Sequence, residues 1–93
     1  MSEQPEVEGE FQVGSELGLH ARPAGRFASA AARFTAEISV GRDGEWVDGR
    51  SVLSLLSLAA STGTRLRIRA TGSDAQEAVE TLGALLEDSL EAS

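Results

Sequence analysis

The sequence predicts an α+β fold, an open-faced β-sandwich of order β-α-β-β-α-β-α in which three helices cover one face of a four-stranded antiparallel sheet. Three observations lead to this prediction. Short segments alternate between apolar and polar residues, longer segments carry apolar residues at helical spacing, and an Asp-Gly pair separates two of the alternating segments. Each strand then has one apolar face and each long helix one apolar stripe, so helices placed on one side of the sheet bury both.

The predicted strands are the segments in which apolar and polar residues alternate, a pattern typical of half-buried β-structure. The first strand covers residues 7–14, the second residues 36–40, and the fourth residues 66–70. Asp43-Gly44 is a hairpin signal directly after the second strand. Residues 45–48 are therefore predicted to return along it as the third strand.

The predicted helices follow from apolar spacing and from residues that favour helix ends. Residues 22–33 carry one apolar stripe, and a short helix over residues 52–59 follows Ser51, a favourable N-cap. The third and clearest helix starts at Ser73, which is expected to form a capping-box pair with Gln76. Its apolar stripe is formed by Ala75, Ala78, Val79, Leu82, Leu85 and Leu86.

Length and composition indicate one folded domain. The 93 residues are 41% hydrophobic, and we expect a domain over residues 7–91 after a flexible tail of residues 1–6. No apolar run approaches the roughly 20 residues that span a bilayer, and the acidic N-terminus does not resemble a signal peptide. The chain has no cysteine, so it has neither disulfides nor thiolate metal sites. We expect a cytoplasmic protein with no membrane insertion.

The charge balance argues against a nucleic-acid-binding protein. Asp and Glu number 15 against 8 Lys and Arg, whereas sequence-independent nucleic-acid binding needs a basic surface. Arg65, Arg67 and Arg69 do form a basic stripe on the fourth predicted strand, and a weak nucleic-acid-binding module built on this stripe is one alternative. Because no aromatic stacking partner is evident beside the stripe, we interpret it as a solvated sheet face paired with Glu and Asp.

The segment that points to chemistry places the one histidine of the chain, His20, immediately before a predicted helix. The first N–H groups of a helix lack intrahelical partners and its dipole adds positive charge, so an anion is stabilised there. Arg22 can add a forked donor suited to phosphate oxygens. Pro23 suits the first turn, where its missing N–H costs nothing.

A histidine in this position has two interpretations. In its neutral form, one ring nitrogen offers a lone pair that could attack a phosphoryl group. The alternative is a surface or capping residue, which is the common role of a lone histidine near a helix start. The sequence shows no cluster of metal-ligating residues beside this histidine and no triad partners for a catalytic serine. We also expect no cofactor.

Two segments of the chain resemble the HPr family, the histidine-containing phosphocarriers of the bacterial phosphotransferase system. Residues 18–24, Gly-Leu-His-Ala-Arg-Pro-Ala, resemble the active-site signature of that family. Residues 49–63, Gly-Arg-Ser-Val-Leu-Ser-Leu-Leu-Ser-Leu-Ala-Ala-Ser-Thr-Gly, resemble its regulatory-serine region and short second helix. Both segments have the family's spacing, the resemblance covers about residues 7–90, and the family fold is the sandwich that the periodicity predicts.

The resemblance implies a phosphocarrier rather than an enzyme. His20 would be phosphorylated on Nδ1 by phosphorylated enzyme I, whose phosphoryl group comes from phosphoenolpyruvate, and would pass the group to an enzyme IIA domain. Arg22 would contact the phosphoryl oxygens, and Ala21 and Pro23 would belong to the same binding site, where backbone amides after His20 help to hold the group. Members of the family are typically monomers.

The second segment implies a regulatory serine and a docking surface. Ser51 matches the position that an ATP-dependent kinase phosphorylates in some members, which would add a serine kinase and phosphatase to the partners; its N-cap role alone also explains a serine there. Val52, Leu53 and Leu56 match residues through which the family docks its partners. The alternative is that these three apolar residues belong to the core.

Two departures from the family pattern concern the pathway. Leu17 stands where many members of the sugar-uptake branch have a small polar residue, a feature closer to the nitrogen-related, regulatory branch. Ser29, Ala32 and Ser54 occupy positions where lysines are common, although Arg26 compensates in part. The alternative function is therefore a regulatory adaptor of the nitrogen-related branch that acts mainly through protein docking.

Overall fold

Residues 4–88 are described by a computed structural model, and the predicted order of helices and strands is confirmed. Of the expected tail and domain, residues 1–3 and 89–91 lie outside this range. Within it, the backbone N–H of Gly72 donates to Pro5 O at 2.9 Å, one residue before the first strand. The elements are β1 (Glu6–Gln12), α1 (Ala21–Ala31), β2 (Glu37–Arg42), β3 (Glu45–Asp48), α2 (Val52–Leu56), β4 (Arg65–Thr71) and α3 (Ala75–Glu87).

The sheet has the order β1-β4-β2-β3, and all neighbouring strands are antiparallel. β4 therefore lies between β1 and β2, and Ile68 pairs with Gly9 on one side and with Val40 on the other. Leu66, Ile68 and Ala70 are fully buried on the face that the helices cover. Every described helix contributes buried residues to the same apolar cluster, so the predicted fold class is confirmed.

The other face of the sheet is charged and carries the predicted arginine stripe. Arg67 Nε donates to Glu8 Oε2 at 2.7 Å, and Arg69 Nε donates to Glu8 Oε1 at 3.3 Å. Arg65 lies 3.7 Å from Glu10. The prediction of a face paired with acidic residues is confirmed, because the register of β1 against β4 places a row of glutamates beside the row of arginines.

The expectation that the stripe has no aromatic neighbour is wrong. The guanidinium carbon of Arg69 lies 3.9 Å from the centroid of the Trp46 ring, although β3 and β4 are separated by β2. Gly41 on β2 makes this contact possible, since a Cβ at this position would stand 2.8 Å from the indole ring. The tryptophan thus lies across the intervening strand and reaches the stripe.

The turns and helix ends agree with the predictions in some places and correct them in others. Asp43 and Gly44 both have positive φ, 53° and 87°, as the two-residue hairpin turn requires. Helix α2 ends at Leu56, earlier than predicted, and Ala59 already has a φ of 52°.

None of the helices between residues 4 and 88 has both the length and the apolar character needed to cross a bilayer.

The predicted capping box of α3 is wrong. The helix begins at Ala75 with Asp74 as its N-cap residue, whereas Ser73 is exposed and does not cap it. The Asp74 carboxylate accepts hydrogen bonds from the backbone N–H groups of Thr35 and Ala36, both at 2.9 Å. It therefore ties the start of α3 to the segment before β2. Because the N–H of Thr35 donates to it, the pKa of the Asp74 carboxyl lies below its usual value.

We expect Asp74→Asn to destabilise the protein in a pH-dependent way, because the amide loses the charge and one acceptor oxygen. The contribution of the carboxylate is fully present above the pKa of an unfolded aspartate, about 3.9. It is lost as the pH falls through the lower pKa of the folded state. Thermal unfolding between pH 7 and pH 2 should give a melting-temperature difference between the two proteins that closes at the acid end.

The matched control for this prediction is Glu37→Gln, which neutralises an exposed carboxylate at the start of β2. It is expected to leave the melting temperature nearly unchanged at neutral pH. A difference between Asp74→Asn and the unmodified protein that is as large at pH 2 as at pH 7 would contradict the prediction.

Candidate functional site

His20 is the N-cap residue of α1, with extended backbone angles (φ −94°, ψ −171°). Its carbonyl accepts the first helical hydrogen bond, from the N–H of Ala24 at 3.0 Å. The helix begins at Ala21, one residue earlier than predicted, and Pro23 lies in its first turn as predicted. Any acceptor for the backbone N–H groups at the start of this helix must therefore lie outside the helix itself.

The His20 ring has one nitrogen in the interior of the protein. The residue is half-buried, and Nε2 is completely buried without a hydrogen-bond partner among residues 4–88. The side chain does not cap the helix either. An enclosed Nε2 is out of direct reach of a group that arrives from solvent.

The residues predicted to share the site with His20 lie in the first turn of α1. Ala21 and Arg22 are exposed, and Pro23 is half-buried. The structure therefore places an exposed guanidinium group two residues from the histidine at a helix N-terminus. Within the described part of the chain, no three His, Cys, Asp or Glu side chains are grouped as metal ligands would be.

The loop that leads to His20 is anchored on the segment that follows α2. The N–H of Leu19 donates to Ala60 O at 2.9 Å, and Thr62 Oγ1 donates to Ser15 O and, at 2.8 Å, to Glu16 O. Gly18 has a φ of 76°, and a Cβ there would stand 2.6 Å from Ala60 O. Sequence analysis missed Thr62, because no local pattern reports a contact with a residue 47 positions away.

Helix α2 is capped at its start, and an arginine binds the segment that follows its end. Ser51 Oγ accepts a hydrogen bond from the N–H of Ser54 at 3.1 Å, so the predicted N-cap is confirmed. At the other end, Arg42 Nη1 donates to Leu58 O at 2.8 Å and to Ala59 O at 2.9 Å. Arg42 was not among the predicted site residues, because the sequence around it gives no sign that its side chain reaches another element.

The apolar residues of α2 divide between the core and the surface. Leu55 and Leu58 are buried, Val52 and Leu56 are half-buried, and Leu53 is 80% exposed. Leu17, in the loop before His20, is 76% exposed. These are the exposed large apolar side chains among residues 4–88, and one lies on each of the two segments that flank α1. Single exposed apolar side chains are common on protein surfaces, so their exposure alone does not define an interaction surface.

The fold and the site together define a small open-faced sandwich with a half-buried histidine at the N-cap of its first helix. A family model described as "PTS HPr component phosphorylation site" matches residues 7–88. This range contains the described helices, His20 and all of the sheet except Glu6, the first residue of β1. The chain therefore belongs to the HPr family, the phosphocarrier proteins of the phosphotransferase system.

Individual relatives cover nearly the whole chain. The HPr-like protein Crh of Bacillus subtilis is 42% identical over 82 residues, which are 88% of this chain and 96% of the relative. The phosphocarrier protein HPr of Haemophilus influenzae is 45% identical over 77 residues, 83% of this chain and 91% of the relative. The crystal structure of a phosphocarrier protein HPr from Bacillus anthracis has a TM-score of 0.84 at 42% identity, covering 87% of this chain and 96% of that one.

The glycine that shapes the histidine loop provides a test of this geometry. We expect Gly18→Ala to lower the free energy of unfolding by at least about 2 kcal/mol. An alanine is strained in the left-handed backbone conformation of this position, and its Cβ would clash with Ala60 O. Chemical denaturation measures this effect.

Gly25→Ala is the matched control, since Gly25 lies inside α1 and its added Cβ would meet nothing within 4 Å. The free energy of unfolding of this variant is expected to rise by about 0.5–1 kcal/mol, which is the difference in helix propensity between glycine and alanine. Equal effects of the two substitutions would contradict the described loop.

Proposed function

We propose that this protein accepts a phosphoryl group on Nδ1 of His20 from phosphorylated enzyme I and passes it to an enzyme IIA domain. The group originates from phosphoenolpyruvate and serves sugar uptake or a related regulatory phosphorelay. The observation that carries the proposal is the half-buried His20 at the N-cap of α1 with Nε2 enclosed. We infer that the chain works in the cytoplasm as a monomer with one domain, which begins before the predicted boundary at residue 7 because Glu6 is already paired in β1.

The chemistry consists of two successive transfers. In the first, a bond forms between Nδ1 and phosphorus while the bond between phosphorus and the donor atom of enzyme I breaks, and its electron pair stays with the donor. In the second, His20 is the leaving group and an acceptor group of enzyme IIA forms the new bond. Catalysis of such transfers rests mainly on positioning and on stabilisation of charge.

The start of α1 supports this chemistry. Backbone N–H groups in the first turn and the helix dipole favour a dianionic group beside His20. Arg22, exposed in the same turn, supplies donors that match phosphoryl oxygens. Ala21 and Pro23 complete the binding site, since Ala21 contributes a first-turn amide and Pro23 fixes the direction of the turn.

The exposed side chains of α2 support a docking role. Leu53 is the outermost of them, and the half-buried Val52 and Leu56 border it. We propose that these three residues bind enzyme I and enzyme IIA next to the phosphoryl group. A kinase that phosphorylates Ser51 would add roughly two negative charges at the start of α2 and repel an acidic partner face, and a phosphatase would reverse this.

A regulatory adaptor is the second candidate function. Two observations favour it: an HPr-like protein matches this chain at 42% identity over most of its length, and the exposed Leu17 lies three residues from His20. An adaptor of the nitrogen-related branch would act through docking alone. Transfer of phosphate through His20 separates the two functions, because an adaptor needs no nucleophile.

The proposed transfer is tested with phosphoenolpyruvate labelled at phosphorus, enzyme I and the purified chain. We expect acid-labile, base-stable label on the unmodified protein and none on His20→Ala, because the variant lacks the accepting nitrogen. Equal labelling of both proteins would reject the phosphocarrier proposal. Arg22→Ala is expected to slow labelling by about 10- to 100-fold, the effect of one lost hydrogen bond to a charged group. Arg33→Ala, which removes an exposed arginine beyond the far end of α1, is its control and should leave the rate unchanged.

Two variants test the regulatory role of Ser51, because they separate the effect of an added negative charge from the effect of losing the N-cap hydrogen bond. Ser51→Asp keeps an N-cap acceptor but adds a negative charge, so the dissociation constant for enzyme I should rise by about two- to fivefold. Ser51→Ala should lower stability by about 1 kcal/mol and leave binding unchanged. Calorimetric titration measures the dissociation constant of each variant for enzyme I. Equal binding of the two variants would show that charge at Ser51 does not control docking.

A further inference from the structure

Ala59, just beyond the end of α2, has a left-handed backbone with a φ of 52°. This conformation brings the Cβ of an L-residue close to a carbonyl oxygen and disfavours alanine by a factor of about 5 to 30. Ala59 is exposed, whereas Leu58 and Ala60 on either side of it are buried. Burial of its own side chain therefore does not offset the unfavourable conformation of Ala59.

Arg42 binds the peptide groups on both sides of Ala59. Its Nη1 donates to Leu58 O at 2.8 Å and to Ala59 O at 2.9 Å. The first oxygen belongs to the peptide plane before the Cα of Ala59, and the second belongs to the plane after it. Because the φ and ψ of one residue set the orientation of its two peptide planes, a single nitrogen that binds both oxygens restricts both angles. In an extended chain, successive carbonyls point to opposite sides and one nitrogen could not bind both.

The conformation of Ala59 determines where the next carbonyl lies, and this carbonyl holds the histidine loop. Ala60 O accepts from the N–H of Leu19 at 2.9 Å, one residue before His20. Gly18 also approaches this oxygen, since an added Cβ would stand 2.6 Å from it. A different φ at Ala59 would turn the chain in another direction after α2 and take the acceptor away from Leu19.

We propose that Arg42 is a positioning residue for His20, because it holds Ala59 in the left-handed conformation that presents Ala60 O to the loop. The effect passes along the backbone, from Ala59 to Ala60 and across the hydrogen bond to Leu19. The inference rests on the proposed function, in which His20 carries the phosphoryl group. It gives a role in that site to β2, a strand that contributes none of the predicted phosphoryl contacts.

Amide hydrogen exchange of the unphosphorylated protein tests this role. The N–H of Leu19 exchanges when its bond to Ala60 O opens, whereas amides in the central strand β4 exchange mainly when the whole domain unfolds. We expect Arg42→Ala to lower the protection of Leu19 by about tenfold or more, the effect of lost hydrogen bonds to a charged group. This fall should exceed any fall at the β4 amides.

A second substitution tests whether Arg42 acts through Ala59. Glycine adopts the left-handed conformation without penalty, so adding Ala59→Gly to Arg42→Ala should raise the protection of Leu19 again by about fivefold or more. Adding Ala32→Gly is the matched control and should restore nothing, because Ala32 is also exposed but has a φ of −67°. The initial rate of labelling from enzyme I should fall with Arg42→Ala and recover only when Ala59→Gly is added.

Two results would overturn the inference. If the protection of Leu19 in Arg42→Ala falls only as far as that of the β4 amides, Arg42 contributes to global stability alone. If Ala59→Gly restores no more protection than Ala32→Gly, Arg42 does not act through the left-handed residue.

The single variant Ala59→Gly keeps the test valid should Arg42→Ala fail to fold. A rise of about fivefold in the protection of Leu19 would support the inference, and unchanged protection would reject it. Hydrogen exchange needs no phosphoryl donor. An unmodified protein that takes up no label would therefore reject the proposed function and leave the exchange result standing.

Discussion

β4 holds the sheet together because it hydrogen-bonds to β1 along one edge and to β2 along the other. Its inward side chains, among them Leu66 and Ile68, are fully buried beneath the helices. The pairing continues beyond the regular strands, where the N–H of Gly63 donates to Val13 O and the N–H of Val13 donates to Thr64 O. The end of β1, where the loop to His20 begins, is therefore fixed by residues that enter β4.

The position of the histidine follows from this constraint. Gly14 lies so close to the end of α3 that an added Cβ would stand 2.1 Å from Glu87 O. The next residues form the loop anchored on Ala60 and Thr62, and His20 closes the loop as the N-cap of α1. A side chain in this place has one ring nitrogen in the interior and lies beside the amides of a helix start. The same packing thus sets its orientation and its electrostatic surroundings.

The local sequence determined much of this protein. Alternation of apolar and polar residues located the strands, because a half-buried strand repeats every two residues. Asp43-Gly44 predicted the hairpin turn, and Ser51 predicted the start of α2, since both act within a few residues of themselves. The residues around His20 predicted a histidine at a helix start, and the first turn of α1 bears this out. Each of these features depends on neighbours along the chain.

Contacts between distant residues were decided only by the tertiary structure. Asp74 looked like part of a helix start next to a capping serine, but its carboxylate binds backbone groups 38 and 39 positions away. Arg42 binds the carbonyls of Leu58 and Ala59 after α2, and Trp46 crosses a strand to reach Arg69. A periodic pattern reports which face of an element is buried, but it does not report which distant backbone group that face will meet. The burial of Nε2 in His20 likewise belongs to the folded structure, because no sequence pattern reports which atom of a ring becomes enclosed.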